Sequence, residues 1–212
     1  MVTQALLILL ILTCLSLLGS SRLSAYIRIV ALQGLLLGAL TLAVHAKSLS
    51  TDIVLLALGS TIIKSLVVPR MLARAIREAD VRTAARPFLG YGGSLVAGML
   101  LLPVALWLGW HLTLPHPVAG GLVVPVSLYA MFIGLFLIAG RQQALTQILG
   151  YLVLENGIYA FGVALLVDYP LWVELAILLD LLGAVLVMGV ILFDINRDFD
   201  HIDTSRLSAL KD

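Results

Sequence analysis

The sequence predicts an all-α, polytopic membrane protein with about seven transmembrane helices. Of its 212 residues, 61% are hydrophobic and 12% are charged, whereas charged residues make up about 25% of a soluble domain. The mean hydropathy is +1.11. A chain of this size cannot bury so much apolar surface away from water, which excludes a soluble enzyme, a nucleic-acid-binding protein and a disordered chain. Long apolar segments and a one-sided distribution of Lys and Arg are the other two indications of this class.

Seven segments are expected to cross the bilayer, because each approaches the length of about 20 apolar residues that spans the hydrocarbon core. They run over residues 4–20, 26–45, 53–69, 89–110, 121–140, 145–167 and 171–194. The first is expected to be a retained helix, since no basic residue precedes it as one would in a signal peptide. Residues 1–212 are expected to form a single membrane domain, with three-helix units over 1–72 and 121–194, a connecting helix over 89–110 and a cytoplasmic tail over 195–212.

The cations lie almost entirely on one side of these spans. Eleven of the 13 Lys and Arg residues fall after spans one, three and five or in the C-terminal tail, whereas Lys47 is on the opposite side and Lys64 is inside a span. Cytoplasmic loops carry such an excess, which predicts an N-terminus outside the cell and a cytoplasmic C-terminus. The longest of these loops, 70–88, contains five arginines among apolar residues. It is either an amphipathic segment at the level of the lipid headgroups or a docking surface for a cytoplasmic partner.

Four ionisable residues lie within the predicted spans, where a charge costs about 2.5–3.5 kcal/mol and therefore indicates function by default. Lys64 in span three, Glu155 in span six and Asp180 in span seven are expected near the middle of the bilayer. Glu174 lies three residues into span seven and is expected to reach the outer interface. Three helices therefore bring charge to about the same depth.

Span six carries a stripe of polar residues. Its members recur every four positions, on one face of a helix, and are Gln147, Tyr151, Glu155 and Tyr159. Asn156 flanks the acid. Because polar groups are costly in hydrocarbon, this face is expected to contact protein or water. Gly150, Gly157 and Gly162 mark other faces where a neighbouring helix could approach closely.

The intramembrane charges have two interpretations. Lys64 and one acid could form a buried ion pair that only fixes the helix bundle. Alternatively, two acids for one base leave one carboxyl without a Lys partner, and such a carboxyl can exchange protons near neutral pH, which predicts a proton relay. No cofactor is expected, because the single Cys14 excludes a disulfide framework and an all-cysteine metal site, and four scattered His leave little room for zinc.

The two halves of the chain show a sparse internal repeat. Placing Arg22 over Arg141 also aligns Ala25 with Ala144. Spans one to three would then match spans five to seven in the same orientation, with span four as the connector. Parallel repeats of this kind are common among membrane transport folds.

The chain resembles the hydrogenase-4 component E family over most of its length. The resemblance rests on 150–157 (GYLVLENG), on Ile63-Lys64 followed by Val68-Pro69, on Glu174 and Asp180, and on 202–203 (ID) and 207–211 (LSALK). That family belongs to the membrane arms of complex I-like group 4 nickel–iron hydrogenases and formate hydrogenlyase-type complexes.

The second half also resembles the three-helix K subunit of respiratory complex I and its cation/proton antiporter counterpart. The shared residues fall on Arg141, Gly150, Asn156 and Ile202-Asp203-Thr204. The second acid of the K subunit aligns with Asp180. The first acid of the K subunit aligns with Leu152 in this sequence. The nearest carboxylate is Glu155, one turn deeper. In the alignment of the two halves, position 152 corresponds to Gln33 of the first half.

These resemblances imply a non-redox subunit of a bacterial or archaeal cell membrane that contributes to proton or Na⁺ translocation, with no catalysis by the chain alone and no cofactor. The implied partners are the lipid bilayer, antiporter-like and other membrane-arm subunits, and cytoplasmic hydrogenase-like and iron–sulfur subunits. The implied relay is Glu155, Asp180 and Lys64, and the supporting polar residues are Tyr151, Asn156, Tyr159, Gln147, Glu174 and Gln33. An autonomous secondary transporter or channel, and a pure assembly scaffold, are the alternatives.

Overall fold

The structure is a computed structural model that describes residues 1–46, 51–78, 88–112, 121–141 and 144–165, together with Gly183 and Gly189. Within these ranges the chain is helical and contains no strand. The helices are α1 (Val2–Gly19), α2 (Leu23–Val44), α3 (Thr51–Ile62), a π-helical segment (Ile63–Val67), α4 (Val68–Glu78), α5 (Gly90–His111), α6 (Val123–Gly140) and α7 (Ala144–Leu165).

Five stretches of these helices are long and apolar enough to cross a membrane, which supports a location in a membrane. They are Val2–Gly19, Leu23–Val44, Ile53–Arg74, Gly90–His111 and Val123–Gly140. A helix also covers most of predicted span six, as α7. The described residues include only Gly183 and Gly189 of predicted span seven and none of the tail over 195–212. The two predicted repeat units therefore cannot be compared within the described residues.

The third helix continues beyond the predicted end of its span at Pro69 and reaches Glu78. A proline inside a helix donates no backbone hydrogen bond, and its ring clashes with the carbonyl four residues earlier. The turns immediately before Pro69 form the π-helical segment, in which the Val68 N–H donates to the carbonyl of Ile63. This wider turn gives the ring room, so α3, the π-helical segment and α4 form one continuous helix.

Two clusters of buried apolar side chains fill the bundle, one toward each end. The first includes Leu17, Leu23, Tyr26, Leu72, Leu137 and Leu149. The second includes Leu10, Leu37, Leu40, Val126, Val163 and Ala164. Along the helices, buried polar residues lie between the two clusters: Thr13 on α1, Gln33 on α2 and Glu155 on α7. The bundle therefore has a polar layer at about the middle of its length.

Helices α6 and α7 pack backbone to backbone through glycines. A Cβ atom at Gly150 would lie 2.9 Å from the backbone nitrogen of Ile138, and one at Gly157 would lie 2.6 Å from that of Met131. The close approach expected at these two glycines is confirmed. At Gly162 an added Cβ would meet no described atom within 4 Å, so this glycine marks no close contact in the part of the chain that the structure describes.

The exposed arginines lie at one end of the bundle. This is the end where α1, α4 and α6 finish and where α2, α5 and α7 begin. The exposed arginines are Arg22, Arg28, Arg70, Arg74 and Arg77. The opposite end, where its residues are described, carries no Lys or Arg.

Candidate functional site

Lys64 and Glu155 form a buried ion pair in the polar layer. Lys64 Nζ donates a hydrogen bond to Glu155 Oε1 at 2.5 Å, and the two side chains are only 6% and 4% exposed. Each residue lies at the middle of its helical stretch, Ile53–Arg74 for Lys64 and Ala144–Leu165 for Glu155. The structure thus brings together two of the three predicted relay residues, which are 91 positions apart in sequence.

The π-helical segment presents Lys64 to the interior of the bundle. Lys64 is its buried residue, whereas Ile63, Leu66 and Val67 are exposed. Segments of π-helix inside α-helices frequently mark functional sites. Helix α2 reaches this segment through Gly34, where an added Cβ would lie 2.9 Å from Lys64 Cβ and 3.0 Å from its carbonyl carbon. A glycine at position 34 is therefore needed for the observed distance between the two helices.

A chain of buried side-chain amides and a hydroxyl lies beside the ion pair. Asn156 Nδ2 donates to Gln33 Oε1 at 3.2 Å, and Gln33 Nε2 donates to Thr13 Oγ1 at 3.1 Å. Both amide side chains are inaccessible or nearly so, with exposures of 0% for Gln33 and 2% for Asn156. This chain links α7, α2 and α1. It gives the amides partners at a depth where an unsatisfied polar group would be costly.

Tyr159 contacts the pair from one turn further along α7. Lys64 Nζ lies 5.5 Å from the centre of the Tyr159 ring, which is within the range of a cation–π interaction. The Tyr159 hydroxyl shares a hydrogen bond of 3.2 Å with Thr41 Oγ1. The ring is thus held in place by α2 while its face is turned toward the ammonium group.

The remaining predicted site residues are less closely involved. Gln147 is half-buried, and its side chain donates to the Arg141 carbonyl at 2.8 Å instead of joining the polar layer. Tyr151 is half-buried as well. An added Cβ at Gly183 would lie 2.8 Å from Glu155 Oε2 and 3.4 Å from Tyr151 Cε1. Glu174 and Asp180 lie outside the described residues.

A small cavity adjoins the ion pair. Its lining consists of Lys64, Glu155 and Asn156 with Val30, Ile63, Val68 and Leu152. The volume of the cavity that is open to the centre of a water molecule is about 10 Å³. This is close to the smallest volume that holds one water. Leu152, the position where the K-subunit resemblance expects the first acid, lines the same cavity as Glu155.

No metal site is present in the described ranges, since they contain no group of three or more His, Cys, Asp or Glu side chains that could hold an ion.

Arg141 is a buried charge, although the distribution of cations predicts it in a cytoplasmic loop. Arg141 is 2% exposed, and its guanidinium donates to the Tyr26 hydroxyl at 2.8 Å. It lies 5.9 Å from the centre of the Tyr26 ring and 5.5 Å from that of Tyr91. Arg141, which directly follows α6, thereby contacts the starts of α2 and α5. Thr13 and Thr41 were also missed, because a threonine in an apolar segment carries no signal of its own.

The comparisons with known proteins find two kinds of relative. The chain is 32% identical to the uncharacterized protein Rv0085 of Mycobacterium tuberculosis (strain ATCC 25618 / H37Rv) over 197 residues, which cover 90% of this chain and 87% of that protein. It is 27% identical to hydrogenase-4 component E of Escherichia coli K12 over 183 residues, which cover 85% of this chain and 84% of that protein. No protein-family model matches the chain. No solved structure matches it either. The chain therefore belongs to the same family as Rv0085, and it is a distant relative of hydrogenase-4 component E.

Proposed function

We propose that the chain is a non-redox membrane subunit of a complex I-like, hydrogenase-type assembly, and that Lys64 and Glu155 take part in the translocation of protons or Na⁺ by that assembly. The observation that carries the proposal is the buried Lys64–Glu155 pair at the middle of two helices. Similarity to hydrogenase-4 component E over most of both chains supports the kind of assembly. The chain alone is proposed to have no catalytic activity and no cofactor.

Burial makes the two charges of the pair depend on each other. A proton arriving on Glu155 would remove the counter-ion of Lys64, and an uncompensated buried charge costs several kcal/mol. The long, flexible Lys64 side chain would then have to find another anion or give up its proton. The cavity beside the pair has room for about one water, which would accept or donate the proton at this step. The protonation state of the pair is thus coupled to the position of Lys64.

Asp180 is proposed as the second acid of the relay. Gly183, which lies beside Glu155 Oε2, follows Asp180 by three residues in the sequence, and this supports the assignment. Tyr151, Asn156, Tyr159, Gln147, Glu174 and Gln33 are proposed as supporting polar residues. Of these, Asn156 and Tyr159 have the contacts beside the pair that fit the role best.

The proposed partners are antiporter-like and other membrane-arm subunits, together with cytoplasmic hydrogenase-like and iron–sulfur subunits, in a bacterial or archaeal cell membrane. The test is to tag the chain, extract native membranes in mild detergent and identify the co-purifying proteins by mass spectrometry. Recovery of antiporter-like subunits with a hydrogenase-type large subunit would support the assembly. Recovery of the chain alone, or as a homo-oligomer, would contradict it and favour an autonomous transporter.

A pure assembly scaffold is a second candidate, favoured by the short distance and low exposure of the pair itself. An exchange of the two charges, Lys64→Glu with Glu155→Lys, separates the candidates. A scaffold needs only the attraction between the two charges. The complex with the exchanged pair should then both assemble and pump ions in membrane vesicles. A relay needs the amine and the carboxylate each on its own helix. The complex with the exchanged pair should then assemble but pump few ions.

Two further variants complete that test. Glu155→Gln should lower pumping in a complex that still assembles. Ser127→Ala, which removes a buried hydrogen bond to the Val124 carbonyl without changing charge, is the matched control and should keep most of the pumping. Normal pumping with Glu155→Gln in the assembled complex would eliminate the relay.

A further inference from the structure

The exposed side of α4 carries three arginines in register. Arg70, Arg74 and Arg77 are exposed, and their spacing of four and three residues places them on one face of the helix; we call them the arginine face. The opposite side of the helix packs inward, with Val68 at 4% and Leu72 at 1% exposure. The helix is therefore fixed on the bundle with its guanidinium groups turned outward.

Apolar surface leads directly to the arginine face. Leu66 is four residues before Arg70 and is 44% exposed, and its neighbour Val67 is 45% exposed. Arg70 also donates to the Leu66 carbonyl at 3.3 Å, which holds its side chain along the helix. The same helix therefore presents exposed hydrocarbon and then positive charge along one line.

The depth of the arginine face matches the boundary between hydrocarbon and headgroups. A helix rises about 1.5 Å per residue, so Arg70, Arg74 and Arg77 lie about 9, 15 and 20 Å along the axis from Lys64. Lys64 is at the middle of the apolar stretch Ile53–Arg74, and half of the hydrocarbon core measures about 15 Å. The arginine face thus begins inside the acyl region and ends among the headgroups.

We propose that the arginine face, with Leu66 beside it, is a binding site for an anionic phospholipid, whose phosphate lies among the guanidinium groups and whose acyl chain follows the exposed apolar residues. Guanidinium groups bind phosphate oxygens with two parallel hydrogen bonds. A docking site for a cytoplasmic protein is the competing occupant. The lipid is favoured because the charged and apolar parts are continuous and because Arg70 and Arg74 lie no farther from the middle of the bilayer than the headgroup boundary, where a lipid reaches them more readily than a cytoplasmic protein.

Native mass spectrometry of the purified full chain, titrated with dioleoylphosphatidylglycerol or dioleoylphosphatidylcholine, tests the proposal. The wild-type chain should bind the first phosphatidylglycerol more tightly than the first phosphatidylcholine. Each basic residue near an anionic headgroup contributes roughly fivefold in affinity, so Arg70→Gln with Arg74→Gln should lower the phosphatidylglycerol affinity by roughly 20- to 30-fold. Arg22→Gln with Arg28→Gln removes the same charge from exposed positions at the same end of the bundle and should leave the affinity almost unchanged.

Three outcomes would overturn the proposal: equal wild-type affinity for the two lipids, equal losses in the two double variants, or loss of a co-purifying protein from the arginine-face variant while its lipid affinity is unchanged. The last outcome would identify a protein docking surface. Arg70→Lys with Arg74→Lys should keep part of the preference and serves as the folding control. The wild-type preference should also fall as ionic strength rises, which tests the proposal without any variant.

Discussion

Lys64 and Glu155 contribute to the fold as a pair, because each is the counter-ion of the other at a depth where water is scarce. Removing one partner of a buried ion pair typically costs about 3–5 kcal/mol, whereas replacing both by apolar residues is often close to neutral. Lys64→Met and Glu155→Met should therefore each destabilise the chain by an amount of that order. The double variant should be much closer to wild type than the sum of the two losses.

The buried thiol of Cys14 offers the measurement for this prediction. It is the chain's single cysteine and is 0% exposed, so a fluorogenic thiol reagent should react with it only as the protein unfolds on heating in detergent. Thr41→Val is the control for the loss of an uncharged buried contact and should cost less than either charge variant. Additive losses in the double variant would show that the two side chains are not coupled.

The charged residues of the site could be predicted from the sequence because ionisable groups inside apolar segments are rare and costly. The sequence also indicates an acid as the partner of Lys64, but not which acid, and it indicates no partner for Asn156. Lys64 meets Glu155 across 91 positions and Asn156 meets Gln33 across 123, and such pairings depend on the axial register of neighbouring helices. A sequence pattern within one helix carries no information about that register. The same limit applies to Arg141, whose burial against Tyr26 and Tyr91 brings the end of α6 to the starts of α2 and α5.

At the scale of the elements, the contact between α2 and the π-helical segment determines where Lys64 lies. Pro69 predicts the end of a helix by the usual rule. The helix instead continues through a π-helical turn, which the sequence does not predict. Gly34 lets α2 approach the backbone of this turn, since an added Cβ would lie within 3.1 Å of Ser65 N as well as close to Lys64. A methyl group there has to push two backbones apart.

Gly34→Ala should therefore destabilise the chain by about 1–3 kcal/mol, the usual cost of overpacking. Gly59→Ala is the matched control, because an added Cβ at Gly59 would meet no atom of the described residues within 4 Å. That variant should be neutral or up to about 1 kcal/mol more stable, as expected for Ala in place of Gly in a helix. Thermal unfolding of both variants in the same detergent gives the comparison, and equal effects would contradict the close contact at Gly34.

At the scale of the whole molecule, the residues that the structure describes form apolar clusters toward the two ends, with a polar layer between them and the exposed arginines at one end. The helices over predicted spans one to six agree with this arrangement, because hydrophobic length is a property of single segments. The depth of their polar residues in the bilayer stays a prediction. Which end faces the cytoplasm follows from the excess of Lys and Arg at one end and is a prediction. It assigns the starts of α2 and α7 to the cytoplasmic side and the end of α5 to the outside.

Cysteine labelling in whole cells tests this orientation with exposed residues from the two ends. Ser21 precedes α2 at the arginine end, and Leu112 follows α5 at the other end; both are exposed. Leu112→Cys should react with a membrane-impermeant maleimide added to intact spheroplasts, because the end of α5 is predicted to face outward. Ser21→Cys should react only after the membrane is permeabilised. The unsubstituted chain is the control, since its Cys14 is buried and should stay unlabelled. The reverse pattern would place the arginines outside, and it would contradict the proposal that the hydrogenase-like partner subunits assemble on the cytoplasmic side of the arginine end.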